Sequence, residues 1–522
     1  MVVFLFVLLF FLLFLPGFSL SLSLLEWDFL SLKFSFFYDS LVFSVILLLI
    51  TLSVVLFSSY YLSGELNFVY YMMMLMLFVG SMFMLNFSVS VFTMMVSWDL
   101  LGISSFFLVL FYSNWDSNSG AMNTALTNRL GDYFFFFFFV SSLFSSYYFF
   151  SFSFFVVSGL LFLVLASFTK SAQFPFSSWL PKAMSAPTPV SSLVHSSTLV
   201  TAGLILLMNF DLMINSFWMM LVMLLVGLFT MFFSSVMALV EEDMKKKVVA
   251  LSTLSQMGFM MFTLGLGLHF VSLLHLLSHA LFKSCLFMQV GYLIHMNFGQ
   301  QDSRYYGNNG SLVMFIQLQM MTTLFCLCGL VFTSGMVSKD LILEMFFFNS
   351  YVMVLGLFFL VSVFLTFGYS YRLWKSLFIS FSKVVMSFGG SVLMNYLSLC
   401  LVFFSVVFMY WMGENLLCLP SFFCMWIFIC LCFMFFCCWG CVICCWNFWL
   451  SSWFMSFLLI IWRSFLFMVD WIMSLWIKVW WSLVGLVFFY LISVFSKFFG
   501  MMMGSLGYNS LVFLYFFSFL FL

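Results

Sequence analysis

Apolar runs of about twenty residues follow one another along almost the whole chain, separated by short polar stretches. A bilayer core about 30 Å thick needs roughly 20 apolar residues per spanning helix, so the pattern predicts an all-α polytopic membrane protein with about fifteen transmembrane helices. The first run, Met1 to about Ser23, reads as a retained helix and not a leader, because no Lys or Arg precedes Lys33. A polar loop at 26–40 follows, then spans near 41–60, 67–86 and 90–112, and a polar connection at 114–120. Arg129 and Asp132 open the next span, which holds the run Phe134 to Phe139. Further spans are expected near 215–240, 246–266, 270–295, 311–345, 350–373, 385–410 and 420–446.

Two helices should be broken. Lys170 ends the apolar run 158–169 and Pro175 follows it; proline removes a backbone donor and clashes with the preceding turn. Backbone groups freed in this way are tolerated in hydrocarbon only inside protein or beside a water-filled cavity. A new helix then starts at Pro187, Thr188 and Pro189, prolines being suited to a first turn, and carries His195 in the sequence Val194 to Thr198. The span 311–345 is interrupted at Ser334, Gly335 and Met336, just before Lys339 and Asp340. Paired interruptions in two halves point to inverted repeats. Beyond Trp449, Arg463, Asp470 and Lys478 line one stripe of a segment, 449–504, that reads as lying against other helices, and a last span at 505–522 follows.

Composition agrees: 66% of the 522 residues are hydrophobic and 6% are charged, against roughly 25% in soluble domains. Sixteen basic residues balance 16 acidic ones, which offers neither a nucleic-acid footprint nor a polybasic tail. With 84 Phe against 6 Pro and 5 His, codons rich in T and G are favoured, as expected of an organelle-encoded gene. Glu241, Glu242, Asp243, Lys245, Lys246 and Lys247 form a dense charge run that reads as a solvated loop. Ten of the 13 Cys lie between Cys400 and Cys445, and Cys438, Cys441 and Cys444 have the C-x2-C-x2-C spacing of iron–sulfur ligands. The surrounding stretch is apolar and Trp-rich without a Pro or Gly loop to wrap a cluster, so these cysteines read as small hydrophobes.

The few charges inside spans carry the candidate chemistry, because an ionisable group at mid-membrane costs at least ~2.5 kcal/mol on insertion scales. Asp99, Lys170, His195, Lys283 and Lys339 qualify, with Arg129 and Asp132 as supporting charges. His275, His279 and Lys283, at i, i+4 and i+8, stack along one helix face where protons can pass between them. A zinc site is the competing reading of the two histidines, but the Glu of an H-E-x-x-H motif is missing. Histidines that cap carbonyls, and lysines held in static ion pairs, are the structural alternatives. A buried lysine whose carboxylate partner moves away would release its proton.

Several stretches resemble a known family: Ser97 to Gly102, Asn128 to Asp132, Lys170 to Gln173, Ala186 to Ser191, Leu274 to Lys283, Gln301 to Arg304 and Ser338 to Asp340. In order, they are similar to the antiporter-like membrane subunits of respiratory NADH:ubiquinone oxidoreductase, complex I. The length, the Gln301-Asp302-x-Arg304 stretch and the long C-terminal extension point to the mitochondrial subunit 5 branch.

The resemblance implies two inverted five-helix repeats with discontinuous helices and a C-terminal lateral helix at 449–504. The corresponding divisions are N-terminal helices at 1–66, antiporter-like halves at 67–210 and 211–380, additional helices at 381–448 and a last helix at 505–522. It implies a proton path in which Asp99 stands for the family's glutamate, Lys170 for its pumping lysine and His195 for its relay. Lys283 would be the central lysine and Lys339 the exit-side lysine. Aspartate for glutamate shortens one arm of the Asp99–Lys170 pair.

Quinone reduction would drive the movement from other subunits, which would hold FMN, iron–sulfur clusters and ubiquinone, with none in this chain. Partners would be adjacent antiporter-like subunits and membrane lipids in the mitochondrial inner membrane, and no nucleic acid. A sodium/proton antiporter subunit and a structural membrane-arm subunit without transport are the other readings.

Overall fold

The computed structural model describes residues 32–379 except 148–151, 211–215, 244–248, 298, 304–305, 307–313, 330–332 and 349–352. It also describes residues 5, 7, 8, 12, 19–22, 398, 401, 402, 404 and 405. These residues belong to one compact unit, Met1–Cys432. Alternating Ser and Leu at 19–22 is the period-two pattern of a strand. β1 (Ser19–Leu22) accordingly pairs antiparallel with β2 (Leu32–Ser35), with Ser19 opposite Ser35. This ribbon corrects the expectation of a helix running to Ser23 and a loop over 26–40; beyond it, the regular elements among the described residues are helices.

Three apolar helices follow: α1 (Tyr38–Tyr61), α2 (Phe68–Phe87) and α3 (Val91–Val109), the last extended by a 3-10 turn, Leu110–Tyr112. The Ser90 side chain accepts the Thr93 N–H and caps α3. Helix α4 (Trp115–Tyr147) starts where a polar connection was expected, so Arg129 and Asp132 lie well inside a helix and do not open it. Polarity at 115–120 keeps that turn out of hydrocarbon without preventing helix formation, since Asn118 N–H already bonds the Asn114 carbonyl.

The first expected break is present. Helix α5 (Phe152–Lys170) closes with Ala172 in the left-handed region, φ 54°, and the Gln173 N–H returning to the Phe168 carbonyl, a Schellman-type stop. After a 3-10 turn, Phe176–Ser178, come α6 (Trp179–Ala183) and α7 (Thr188–Leu193), with Pro187 at its N-cap and Pro189 in its first turn. His195 sits in a π-helical turn, Val194–Thr198, that leads into α8 (Leu199–Asn209).

Further along the chain come α9 (Phe217–Val240), α10 (Ala250–Gly265), α11 (His269–Met296), α12 (Met314–Cys328), α13 (Ser334–Phe348) and α14 (Met353–Trp374). The second break falls before Ser334, which opens α13, and so lies slightly upstream of the expected position. Gly329 makes the stop: its φ of 77° suits a residue without Cβ, and its N–H bonds the Phe325 carbonyl.

Among the described residues, six segments are long and apolar enough to cross a membrane: Asp39–Tyr61, Phe68–Phe87, Val91–Tyr112, Thr188–Asn209, Phe217–Val240 and His269–Met296. A helix that is apolar all round belongs inside a bundle. Helix α11 obeys this, with every residue from Val271 to Ile294 buried among α1, α7, the π-turn, α10, α12 and α13. Outer helices show the other pattern. On α9, Trp218, Val222, Leu225, Phe229, Phe233 and Val236 recur every three or four residues on an exposed stripe suited to lipid.

Of the charge run, Glu241 to Asp243 end α9, and the Asp243 backbone bridges to Asp302. Lys245 to Lys247 and Arg304 lie outside the described residues. So do the Cys400–Cys445 cluster, the segment 449–504 and the span 505–522; within the spans expected at 385–410 and 420–446, only Ser398, Leu401, Val402, Phe404 and Ser405 are described, all helical.

Arg372, for which the sequence suggests no role, caps α9. Its guanidinium donates to the carbonyls of Ala238, Leu239 and Val240, the last at 3.2 Å, satisfying acceptors that a helix end leaves open. Arg372→Leu should therefore destabilise the α9–α14 contact by about 2 kcal/mol, the worth of hydrogen bonds to a charged group. A lower thermal midpoint of the assembled protein measures it, and an unchanged midpoint refutes the cap.

Candidate functional site

Lys170, the last residue of α5, is fully buried. Its Nζ donates to the Trp98 carbonyl at 2.5 Å and lies 3.8 Å from the centroid of the Trp98 ring, so a carbonyl dipole and a π face both meet the ammonium. The Trp98 ring in turn contacts Phe135. Asp99 is the next residue on α3, about 100° round the helix. That turn puts Trp98 inside and Asp99 outside, with 49% of the Asp99 side chain exposed, which corrects the expectation of a buried carboxylate at 99.

Asp99 pairs with Arg129 instead, Oδ1 to Nη1 at 2.7 Å, and the same Nη1 reaches Asp132 Oδ2 at 3.2 Å. Asp132 is the less exposed carboxylate, at 20%, and is the one that acts most strongly on Lys170, ahead of Asp99. The close approach of α4 to α5 at Gly131 makes this possible, because a Cβ there would run into the Thr169 hydroxyl. From the same turn, the Thr169 carbonyl accepts Trp179 Nε1–H at 3.0 Å, and the Trp179 ring meets His195 edge-on, 6.0 Å between centroids. A continuous packed row thus runs Trp98, Lys170, Thr169, Trp179, His195.

The second cluster is built on α11. His275 Nε2 faces Gln256 Oε1 at 3.1 Å and Nδ1 faces Ser338 Oγ at 2.8 Å. Because an amide oxygen only accepts, Nε2 carries the hydrogen, and in the neutral ring Nδ1 takes the Ser338 hydroxyl hydrogen. Gln256 Nε2 and Ser255 Oγ meet Tyr369 OH at 3.4 and 3.2 Å. His279 is buried with no hydrogen-bond partner on either ring nitrogen among the described residues.

Lys283 Nζ donates to Ser252 Oγ at 2.5 Å. Lys339 Nζ donates to the Leu327 carbonyl at 2.5 Å, next to the break that ends α12, and acts electrostatically on His275, His279 and Lys283. Every one of these four side chains is buried. The structure therefore brings together His275, His279, Lys283 and Lys339 in one group and Lys170, His195, Asp132, Arg129 and Asp99 in another.

Trp98, Trp179, Gln256 and Ser338 are the neighbours that sequence reasoning gave no role, and Asp340 is one that it placed beside Lys339 without assigning it to the site. Trp98 and Ser338 each adjoin a charged residue that the sequence does mark, and Asp340 is buried with Oδ1 lacking a hydrogen-bond partner among the described residues. The contacts of Trp179 and Gln256 join positions 10 and 19 residues apart, and no helical spacing signals them.

Buried amines and imidazoles set on interrupted helices of an apolar bundle define an antiporter-like membrane protein, equipped for proton exchange. The family described as NADH:quinone oxidoreductase/Mrp antiporter, TM, matches residues 88–366, and the chain belongs to it. Among its relatives is the NADH-ubiquinone oxidoreductase chain 5 of Caenorhabditis elegans, 67% identical over 408 residues, covering 78% of this chain and 77% of that one. That of Ascaris suum is 65% identical over 405 residues, covering 78% and 74%. Among solved structures, a chain of the Mrp complex from Dietzia sp. DQ12-45-1b shares the fold with a TM-score of 0.71 at 23% identity. That match covers 82% of this chain and 52% of the other, so this chain spans about half the length of that structure's chain.

Proposed function

We propose that the chain is a proton-translocating membrane-arm subunit of respiratory NADH:ubiquinone oxidoreductase in the mitochondrial inner membrane. The relatives in C. elegans and A. suum support this reading by name. The observation that carries it is the set of four buried titratable side chains, His275, His279, Lys283 and Lys339, gathered on α11 and α13 so that their charges act on one another.

In this reading the segments 67–210 and 211–380 are inverted halves, each with one broken helix, in a chain of about fifteen spans with a lateral helix at 449–504. Lys170 gives and takes a proton as Asp132 and Asp99 exchange Arg129 between them. His195 relays it, and His275, His279 and Lys283 conduct it toward Lys339. At His275 the step is concrete: a proton binds Nδ1 while the Ser338 hydroxyl rotates away, and Nε2–H keeps its bond to Gln256. Quinone reduction with FMN, iron–sulfur clusters and ubiquinone takes place in other subunits, and adjacent antiporter-like subunits and lipids are the neighbours of this one.

The test is Lys283→Ala in the assembled complex, with proton translocation measured in sealed vesicles. A positioned proton-transfer group contributes roughly 100-fold or more, so the step carried by this chain should all but stop. Normal assembly with normal translocation sinks the reading in favour of a purely structural subunit. The fold shared with the Mrp complex chain gives a second reading, a sodium/proton antiporter subunit. Translocation that requires sodium selects it.

A further inference from the structure

Tyr369 lies on α14, is buried, and has its hydroxyl between two neighbouring residues of α10, 3.2 Å from Ser255 Oγ and 3.4 Å from Gln256 Nε2. A serine hydroxyl has one hydrogen, and Ser255 gives its own to the nearer acceptor, the Ser252 carbonyl at 2.9 Å. Tyr369 O–H therefore donates to Ser255 Oγ, and the phenol oxygen is left to accept Gln256 Nε2–H. With its nitrogen end held in this way, Gln256 presents Oε1 to His275 Nε2 at 3.1 Å. The reversed amide would present N–H groups there, and the neutral imidazole would have to carry its hydrogen on Nδ1. The phenol hydroxyl, acting through one amide, thus decides the tautomer of His275.

The two faces of the imidazole differ accordingly. On one, Ser338 Oγ lies 2.8 Å from Nδ1 and 3.3 Å from the Gly335 carbonyl, so its hydroxyl has two acceptors to choose between. It donates to Nδ1 in the neutral ring; when Nδ1 holds a proton, it turns to Gly335 and its oxygen accepts Nδ1–H. The other face has no such freedom. Hydrogens from His275 through Gln256, Tyr369 and Ser255 all point one way, to a main-chain carbonyl, and an amide holds no titrating proton. Phe259 of α10 meets the imidazole edge-on at 4.9 Å between centroids and itself stacks on Phe359 of α14 at 5.7 Å, which holds the ring in place.

We propose that Tyr369 is a positioning residue for the proton step at His275: by clamping the Gln256 amide it keeps Nε2 protonated, so that protons enter and leave the ring at Nδ1 alone, on the side of α13. The proposal rests on the reading of the chain as a proton carrier and adds a residue to that same site. A proton binds Nδ1 and gives an imidazolium, and it leaves from Nδ1, which restores the neutral ring. The Ser338 hydroxyl turns out and back, and no other bond changes. Closing Nε2 keeps the proton from crossing the ring toward α10 and α14, away from Lys339, the neighbour of Ser338 on α13.

In the assembled complex, Tyr369→Phe removes only the hydroxyl and leaves Gln256 free to take either orientation. Translocation should fall about fivefold, the bias that one hydrogen bond of ordinary net strength gives a two-state equilibrium. Ser255→Ala, which frees the Tyr369 hydroxyl to donate to Gln256 Oε1, should do the same, and it decides the matter if Tyr369→Phe does not assemble. Wild-type translocation in either assembled variant overturns the proposal. Gln256→Met separates positioning from packing, because it removes the amide through which Tyr369 acts. It should lower translocation as far as Tyr369→Phe does, and adding Tyr369→Phe to it should lower translocation no further. A full further loss in the double variant assigns Tyr369 to packing and overturns the proposal; so does complete arrest in Gln256→Met, which would make the Nε2 face a conducting one. Lys283→Ala run alongside separates the two ideas. If it stops translocation while Tyr369→Phe and Ser255→Ala do not slow it, the clamp falls and the carrier reading stands; if it translocates normally, both fall.

Discussion

Lys170→Arg should stop proton translocation as completely as Lys170→Ala. Arginine keeps the positive charge, the hydrogen bond to the Trp98 carbonyl and the contact with the Trp98 ring. What it loses is the ability to give up a proton, since a guanidinium is never deprotonated in a protein. The variant therefore separates a lysine that cycles from one that only holds α3 against α5. Loss of roughly 100-fold or more in the step carried by this chain, with normal assembly on a native gel, is the expected result. Normal translocation in Lys170→Arg assigns Lys170 a static role.

Asp132→Asn should impair translocation more than Asp99→Asn. Of the two, Asp132 is less exposed and acts more strongly on Lys170, while Asp99 is half-exposed and already held by Arg129. Asparagine preserves shape and removes the charge, so the comparison isolates electrostatics. We expect roughly tenfold or greater loss in Asp132→Asn, in line with a partly buried charge acting at reduced dielectric, and a several-fold smaller effect in Asp99→Asn. The reverse order, read as initial rates of vesicle acidification, would return the partner role to Asp99.

That reversal of rank marks the limit of what the chain reveals by itself. The stacking of His275, His279 and Lys283 was legible because positions four apart share a helix face whatever surrounds them. Both broken helices were legible too, Pro175 through its missing donor and the second through its glycine-containing stretch near Lys339. The orientation of Asp99 was not, since a helix of nearly uniform hydrophobicity has no face of its own, and neighbouring helices decide which side turns inward. Nor was the bond from Lys170 to Trp98, which joins residues 72 apart. The helix at 115–120 and the ribbon at 19–22 were missed for a simpler reason: a pattern read for hydrocarbon length registers polarity as an end of structure, and short alternation disappears in a long apolar run.

Of the three lysines buried among the described residues, two meet oxygen atoms of the main chain: Lys170 the carbonyl of residue 98 and Lys339 that of residue 327. No point mutation at either acceptor position can delete that oxygen, because all twenty amino acids carry it. These resting places for charge are thus indifferent to codon drift at 98 and 327. They are vulnerable to a different class of lesion, a one-residue insertion or deletion in α3 or α12, which would rotate the carbonyl away while every side chain of the cluster stayed the same.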